Sequence, residues 1–138
     1  MRGEKSLIKT QRYCLETTFL VDFLRGKEHS IQKYKEIREY PLLTTSIVAW
    51  EILRGPKIAG RVKEYSDAVR FLERLTVLPF TASSARIAAN IEFELKEKGR
   101  QMNLIDVLIA AVAIENNAKL VTKDESYKNI EEFQVELY

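Results

Sequence analysis

Cysteine, histidine, proline and glycine are all scarce in this chain of 138 residues, which has one Cys, one His, three Pro and five Gly. A single cysteine cannot close an internal disulfide, so a reducing compartment is expected. Cys14 lies in the run Tyr13-Cys14-Leu15, where the expected role is that of a small buried hydrophobe. With only His29 and Cys14 to draw on, zinc sites of the Cys/His type are excluded. Few Gly and Pro also exclude collagen-like and linker-rich chains. Long apolar runs are missing: no stretch reaches the ~18 residues of a membrane span. Met1 to Arg12 has no apolar segment of signal-peptide type. A soluble, cytoplasmic protein with no membrane partner is therefore expected.

Charge of one sign is lacking too. Lys and Arg number 22 against 20 Asp and Glu, a net +2. Residues 1–12 carry Arg2, Lys5, Lys9 and Arg12 against Glu4, a net +3, which leaves the rest of the chain at −1. The positive balance thus belongs to the amino-terminal segment and says little about a nucleic-acid partner. What is present is ordinary globular composition, 46% hydrophobic and 30% charged. The length suits one domain that can bury a sizeable core without a metal or disulfide staple. We expect residues 1–11 to be a basic, flexible extension and residues 12–138 a single domain.

Apolar runs and helical periodicities alternate along the chain. Arg12 to Leu15 reads as a first strand, and Thr17 or Thr18 can cap a helix that Arg25-Gly26 stops. A helix over His29 to Glu39 ends before Pro41, and Leu42 to Thr45 is a short strand. Ser46 caps a helix from Ile47 to Leu53, closed by Gly55-Pro56. Arg61 to Leu75 has helical spacing at Val62, Tyr65, Val69 and Leu72, and Thr76 to Phe80 is strand-like. Thr81 or Ser83 opens a helix to about Lys98. Asn103 caps the most apolar helix, from Leu104 to about Asn116. Lys119 to Thr122 is a strand and Gln134 to Tyr138 an alternating edge strand. This alternation predicts an α/β fold in three layers, α/β/α, with a central, mostly parallel sheet of four to five strands.

In such folds ligands bind outside the carboxyl ends of the strands, where the helices that return along the sheet begin. Glu16 follows the first strand and Asp124 follows Lys119 to Thr122, so both belong at that edge. Asp106 lies in the first turn of its helix. Glu51 lies five residues beyond Ser46, roughly 7.5 Å along a helix at about 1.5 Å per residue. Asp106 is the only polar residue between Leu104 and Ile114, and Glu51 the only one between Ile47 and Leu53. A carboxylate on a helix that is apolar all round is costly unless paired or bound to metal. Four converging carboxylates would raise one another's pKa or bind a hard cation, and oxygen-only sites suit Mg²⁺ or Mn²⁺.

Four segments carry a family resemblance: Leu15-Glu16-Thr17-Thr18-Phe19-Leu20-Val21-Asp22-Phe23-Leu24-Arg25-Gly26, Ser46-Ile47-Val48-Ala49-Trp50-Glu51-Ile52-Leu53, Leu104-Ile105-Asp106-Val107-Leu108-Ile109-Ala110-Ala111 and Leu120-Val121-Thr122-Lys123-Asp124. In this order the chain resembles a PIN domain, most closely the VapC-type toxin ribonucleases, over about residues 12–138. The resemblance implies a metal-dependent endoribonuclease hydrolysing RNA phosphodiester bonds, frequent homodimers, and a VapB-type antitoxin in a type II toxin–antitoxin pair. It puts Glu16, Glu51, Asp106 and Asp124 on the family's four acids, with the first and third holding the principal metal. Thr122 falls on the hydroxyl residue before the last acid, and Thr17 is a second supporting hydroxyl. Glu16 departs from the usual Asp. Being one methylene longer, it raises the alternative of a catalytically degenerate PIN domain that acts as an RNA- or protein-binding module.

Each acid also has a plainer explanation. Asp106 suits a helix dipole, Glu51 could pair with Arg54, Glu16 could accept from the helix that follows it, and Asp124 could cap the turn at Glu125-Ser126. Asp22 reads as half of a surface pair with Arg25. Arg25, Lys27, Arg54, Lys57, Arg61, Arg100 and Lys123 flank the motifs and are the candidate RNA contacts; Tyr127 reads as packing, or as a base-stacking ring. A phosphoacceptor receiver domain is disfavoured, because a lone acid follows the first strand and Thr81-Ala82-Ser83 follows the third. No Gly-rich loop supports a dinucleotide or nucleoside-triphosphate site.

Overall fold

The computed structural model describes residues 11–138. Five strands form one sheet: β1 (Tyr13–Leu15), β2 (Leu42–Thr45), β3 (Thr76–Leu78), β4 (Lys119–Thr122) and β5 (Val135–Leu137). Their order is β3-β2-β1-β4-β5 and every pairing is parallel. Six helices flank it: α1 (Thr17–Leu24), α2 (Glu28–Ile37), α3 (Ser46–Ala59), α4 (Val62–Leu72), α5 (Ala82–Glu97) and α6 (Leu104–Glu115). A 3₁₀ turn, Glu125–Asn129, follows β4. The α/β class and the parallel sheet are as the alternation predicts. Of the basic extension expected over residues 1–11, all but Gln11 lies outside the described residues.

Burial explains the sheet order. All three residues of β1 are buried, as a strand with neighbours on both sides requires. Cys14 stands opposite Leu43 on one side and Leu120 on the other. It is wholly buried, and burial, with the nearby Glu16 charge, pushes its thiol up to about 12, which leaves it inert. The edge strand β5 is half-exposed and pinned by charge: Glu136 accepts from Lys33 of α2 at 3.0 Å and pairs with Lys119 at 3.5 Å. At the carboxyl end, the Thr44 hydroxyl donates to the Leu15 carbonyl at 2.8 Å and ties β2 to β1.

The core centres on α6. Ile109, Ala110, Ala111, Val112 and Ala113 are all fully buried, and the alanines let α5 approach closely. Burying five consecutive positions demands an apolar residue at every one of them, which is why this helix shows no polar face.

Two local expectations are corrected. The helix after β2 does not close at Gly55-Pro56 but runs on to Ala59. Pro56 forfeits the one bond its missing N–H would make to the Ile52 carbonyl, and the helix outlasts that loss by a single turn. It stops at Gly60, at φ +72, where the Gly60 N–H donates to Lys57 and the Arg61 N–H to Pro56. The caps also shift by one residue. Thr45 rather than Ser46 caps α3, accepting from the Val48 N–H at 3.0 Å, and Glu16 rather than a threonine caps α1.

Candidate metal centre

The two central strands deliver the first and last acids side by side. β1 ends at Leu15 and the Glu16 N–H still donates to the Val121 carbonyl of β4, which fixes Glu16 at the carboxyl edge. Its backbone is extended and its side chain turns back over the start of α1. One oxygen, Oε1, accepts three hydrogen bonds: from the Thr18 N–H at 3.1 Å, the Thr18 hydroxyl at 2.6 Å and the Thr122 hydroxyl at 2.6 Å. Glu16 is only 3% exposed. Burial raises its pKa above the ordinary glutamate value, the bonds from Thr122 and Thr18 oppose this, and the charge of Asp106 adds to the rise.

Asp124 follows β4. Its N–H donates to the Thr122 hydroxyl at 3.0 Å, so Thr122 relays between the first and last acids. Its carboxylate accepts from the Ser126 N–H at 2.9 Å and caps the 3₁₀ turn. Glu51 enters from α3 and accepts from the Thr17 hydroxyl at 2.5 Å, which ties the second acid to the residue beside the first. Asp106 sits in the first turn of α6, behind the Asn103 cap, and accepts from the Tyr127 hydroxyl at 3.0 Å. Burial raises the Asp106 pKa, the Tyr127 bond opposes it, and the charges of Asp124 and Glu51 push it further up. Asp106 is thus affected by the charges of Asp124 and Glu51, and Glu16 by that of Asp106.

The plainer explanations hold in part. Glu16 and Asp124 both cap helical turns, as that reading foresees. Glu51 makes no ion pair with Arg54 among the described residues; the Arg54 guanidinium lies over the Trp50 ring at 5.2 Å. Asp22 does not pair with Arg25. It accepts from Lys123 at 2.7 Å and from the Tyr138 hydroxyl at 2.9 Å, partners reachable only after the chain returns through β4 and β5. Of the other candidate RNA contacts, Arg100 donates to the Asn129 side chain and Arg61 pairs with Glu64.

Two residues of the site escape the sequence reading. Thr18 supplies two of the three bonds to Glu16, and a threonine two residues past a strand-end acid is the signal for it. Tyr127 is fully buried and carries the bond to Asp106; its place three residues after Asp124, one 3₁₀ turn on, is the only hint in the sequence.

The donor set is all oxygen and crowded with negative charge, which is the chemistry of a hard divalent cation. Among the described residues, no three of His, Cys, Asp and Glu are grouped so that together they could hold a metal ion. That is compatible with Mg²⁺, which commonly keeps several waters and binds through one or two carboxylates rather than in an all-protein cage.

Residues 13–132 match the PIN domain family. The chain belongs to the PIN-domain family. Among curated relatives, Ribonuclease VapC2 of Rickettsia felis is 30% identical over 125 residues, covering 88% of this chain and 90% of its own length. Ribonuclease VapC3 of Methanocaldococcus jannaschii is 28% identical over 98 residues, 71% of this chain and 94% of the relative. A chain in the crystal structure of VapBC2 from Rickettsia felis, bound to a DNA fragment from their promoter, superposes with a TM-score of 0.83 at 25% identity. That match covers 93% of this chain and 99% of the other. The five-stranded parallel sheet with its six helices is the PIN architecture.

Proposed function

We propose that this PIN domain is a Mg²⁺- or Mn²⁺-dependent endoribonuclease that hydrolyses RNA phosphodiester bonds, the toxin of a type II toxin–antitoxin pair. The reading is supported by the hydrogen bonds that link the acids' neighbourhoods: Thr122 joins Glu16 to the Asp124 N–H, Thr17 beside Glu16 holds Glu51, and Tyr127, on the turn that Asp124 caps, holds Asp106. It is also supported by the similarity, over 88% of the chain, to a protein named Ribonuclease VapC2. Glu16 and Asp106 would hold the principal cation, and Glu51 and Asp124 would complete the acidic set.

Held by these carboxylates, a divalent cation would supply a water of lowered pKa and would neutralise charge on the phosphate. The chain's own part is positional. Thr122 and Thr18 fix one oxygen of Glu16, so that Oε2 is the oxygen left to turn toward a cation. Thr17 fixes Glu51, and the Ser126 N–H fixes Asp124. No covalent intermediate is required, in keeping with a sole cysteine that is buried and a sole histidine that lies on α2.

The proposed partners are an RNA substrate, a VapB-type antitoxin and a second copy of the chain; residues 12–138 are proposed as the single domain, and the cytoplasm as the compartment. No helix among the described residues is long and apolar enough to cross a membrane. Incubation of purified protein with a panel of end-labelled RNAs tests the reading. Cleavage should require Mg²⁺ or Mn²⁺, stop with EDTA and disappear in Asp106→Asn. Absence of divalent-dependent cleavage across the panel would overturn it.

A second reading is favoured by Glu16 itself. Its extra methylene and its clamped Oε1 suit a helix cap as well as a metal ligand, which fits a degenerate module that binds RNA or protein without cutting. RNA binding undiminished by EDTA, with no cleavage, would select it.

A further inference from the structure

We propose that Tyr127 is a positioning residue of this site: its hydroxyl sets the orientation of the Asp106 carboxylate, so that the 3₁₀ turn Glu125–Asn129 aligns the third acid with the fourth. This rests on the nuclease reading above and goes beyond it. Tyr127 has no exposed surface, so its ring reaches neither solvent nor a substrate. The ring sits edge-on to Phe133, with centroids 6.4 Å apart, and the hydroxyl donates to Asp106 Oδ1 at 3.0 Å. A phenol offers one proton, and here it is spent on a carboxylate across 21 residues of sequence. Packing alone would be served equally well by phenylalanine.

The turn that carries Tyr127 is itself held by the site. Asp124 caps it through the Ser126 N–H at 2.9 Å, and it closes with the Ile130 N–H donating to the Tyr127 carbonyl at 3.2 Å. One short element therefore presents two acids together: Asp124 by its cap and Asp106 by the tyrosine bond. With Oδ1 engaged, rotation of the Asp106 carboxylate about its last bond is restricted, and Oδ2 is the oxygen left for a cation. Partners of this kind fix ligand orientation in metal sites, and losing one typically lowers metal affinity or activity by about 10–100-fold.

The test is Tyr127→Phe, which keeps the ring and removes the oxygen. Calorimetric titration of the metal-free protein with Mn²⁺ should show a dissociation constant about tenfold or more above wild type. RNA cleavage should fall at limiting Mn²⁺ and recover as Mn²⁺ is raised, with KM for RNA unchanged. Unchanged Mn²⁺ affinity and an unchanged metal dependence of kcat would overturn the proposal, even if the variant melts at a lower temperature. A wild type that binds Mn²⁺ and cuts RNA beside such a variant leaves the nuclease reading intact; a wild type that binds no Mn²⁺ overturns both. Should the variant fail to fold, the wild type carries the test. With ¹³Cζ-labelled tyrosine, Mg²⁺ should shift the Tyr127 resonance saturably, and no shift would overturn the proposal.

Discussion

Glu16→Gln should stabilise the metal-free protein while abolishing cleavage. The substitution keeps the shape and leaves Oε1 as acceptor for the Thr18 N–H, the Thr18 hydroxyl and the Thr122 hydroxyl. It removes a charge that is 3% exposed. Burying a lone carboxylate costs several kcal/mol even after relaxation, on the order of 4. Each of the three hydrogen bonds weakens by about 1 kcal/mol when its acceptor loses its charge. The balance favours glutamine by about 1 kcal/mol, and relief of repulsion from Asp106 adds to it, so a gain of about 1–2 kcal/mol is expected at pH 8. For a domain of this size that is roughly 3–6 °C in Tm.

The sign of the pH dependence follows from the same site. The Glu16 pKa is raised in the folded protein, so its contribution to stability is complete below the ordinary value of 4.5 and is lost as pH rises through the folded value. Wild type and variant should therefore converge as pH falls toward 4.5 and separate above the folded pKa. Carboxylates held low by cations, such as Asp22 and Glu136, lose stability on acidification in both proteins, so the difference between the two isolates Glu16. Urea unfolding in EDTA at a series of pH values from 5 to 8 measures it. A variant less stable than wild type at pH 8, or a gap that does not change with pH, would refute the reasoning.

Thr122→Val keeps the volume, but it removes the donor to Glu16 and the acceptor of the Asp124 N–H; a loss of about 2–4 kcal/mol is expected by urea unfolding at pH 8, with cleavage reduced. Asp22→Asn should lower stability by only about 0.5–1 kcal/mol at pH 7, because Lys123 is half-exposed and the pair is screened. Burial works against the Asp22 carboxylate, but the bonds from Lys123 and Tyr138 and the Lys123 charge hold it below its ordinary 3.8. Its contribution is thus present above pH 3.8 and lost as pH falls through the folded value, and the Asn variant should lack that decline. Gly60→Ala should lose about 1–2 kcal/mol from the left-handed backbone alone, since no atom lies within 4 Å of the added Cβ, and thermal unfolding should fall with cleavage unchanged.

Where the chain announces its own boundaries, the sequence and the structure agree. Leu42 to Thr45 and Lys119 to Thr122 are strands to the residue, because each is a short buried run between turn-forming neighbours. The Gly55-Pro56 pair misleads because both residues are usual helix terminators, yet one missing bond near the end of a long helix is tolerable. The acids are legible for a topological reason: a residue just after a parallel strand, or early in the following helix, is at the carboxyl edge whatever the details. Their partners are not legible. Thr122 to Glu16 spans 106 positions and Tyr138 to Asp22 spans 116, and no local pattern encodes contacts that exist only once β4 and β5 have joined the sheet.

The plainer and the proposed explanations of these acids are compatible. Glu16 caps α1, Asp124 caps the 3₁₀ turn and Asp106 lies in the first turn of α6. Helix N-termini carry partial positive charge and unpaired N–H groups, so each offers a carboxylate local stabilisation. A parallel sheet gathers those N-termini at one edge, and so a fold of this kind can hold several acids there without a cation. The local stabilisation is incomplete: burial and mutual repulsion still raise the Glu16 and Asp106 carboxyls. That residue of unfavourable electrostatics is what a divalent ion would relieve. On the proposed reading a longer first acid would be tolerable, since Oε1 serves the helix and Oε2 would be left for the ion. If glutamine at position 16 proved costly rather than stabilising, no such electrostatic strain would exist, and Glu16 would be a helix cap and nothing more.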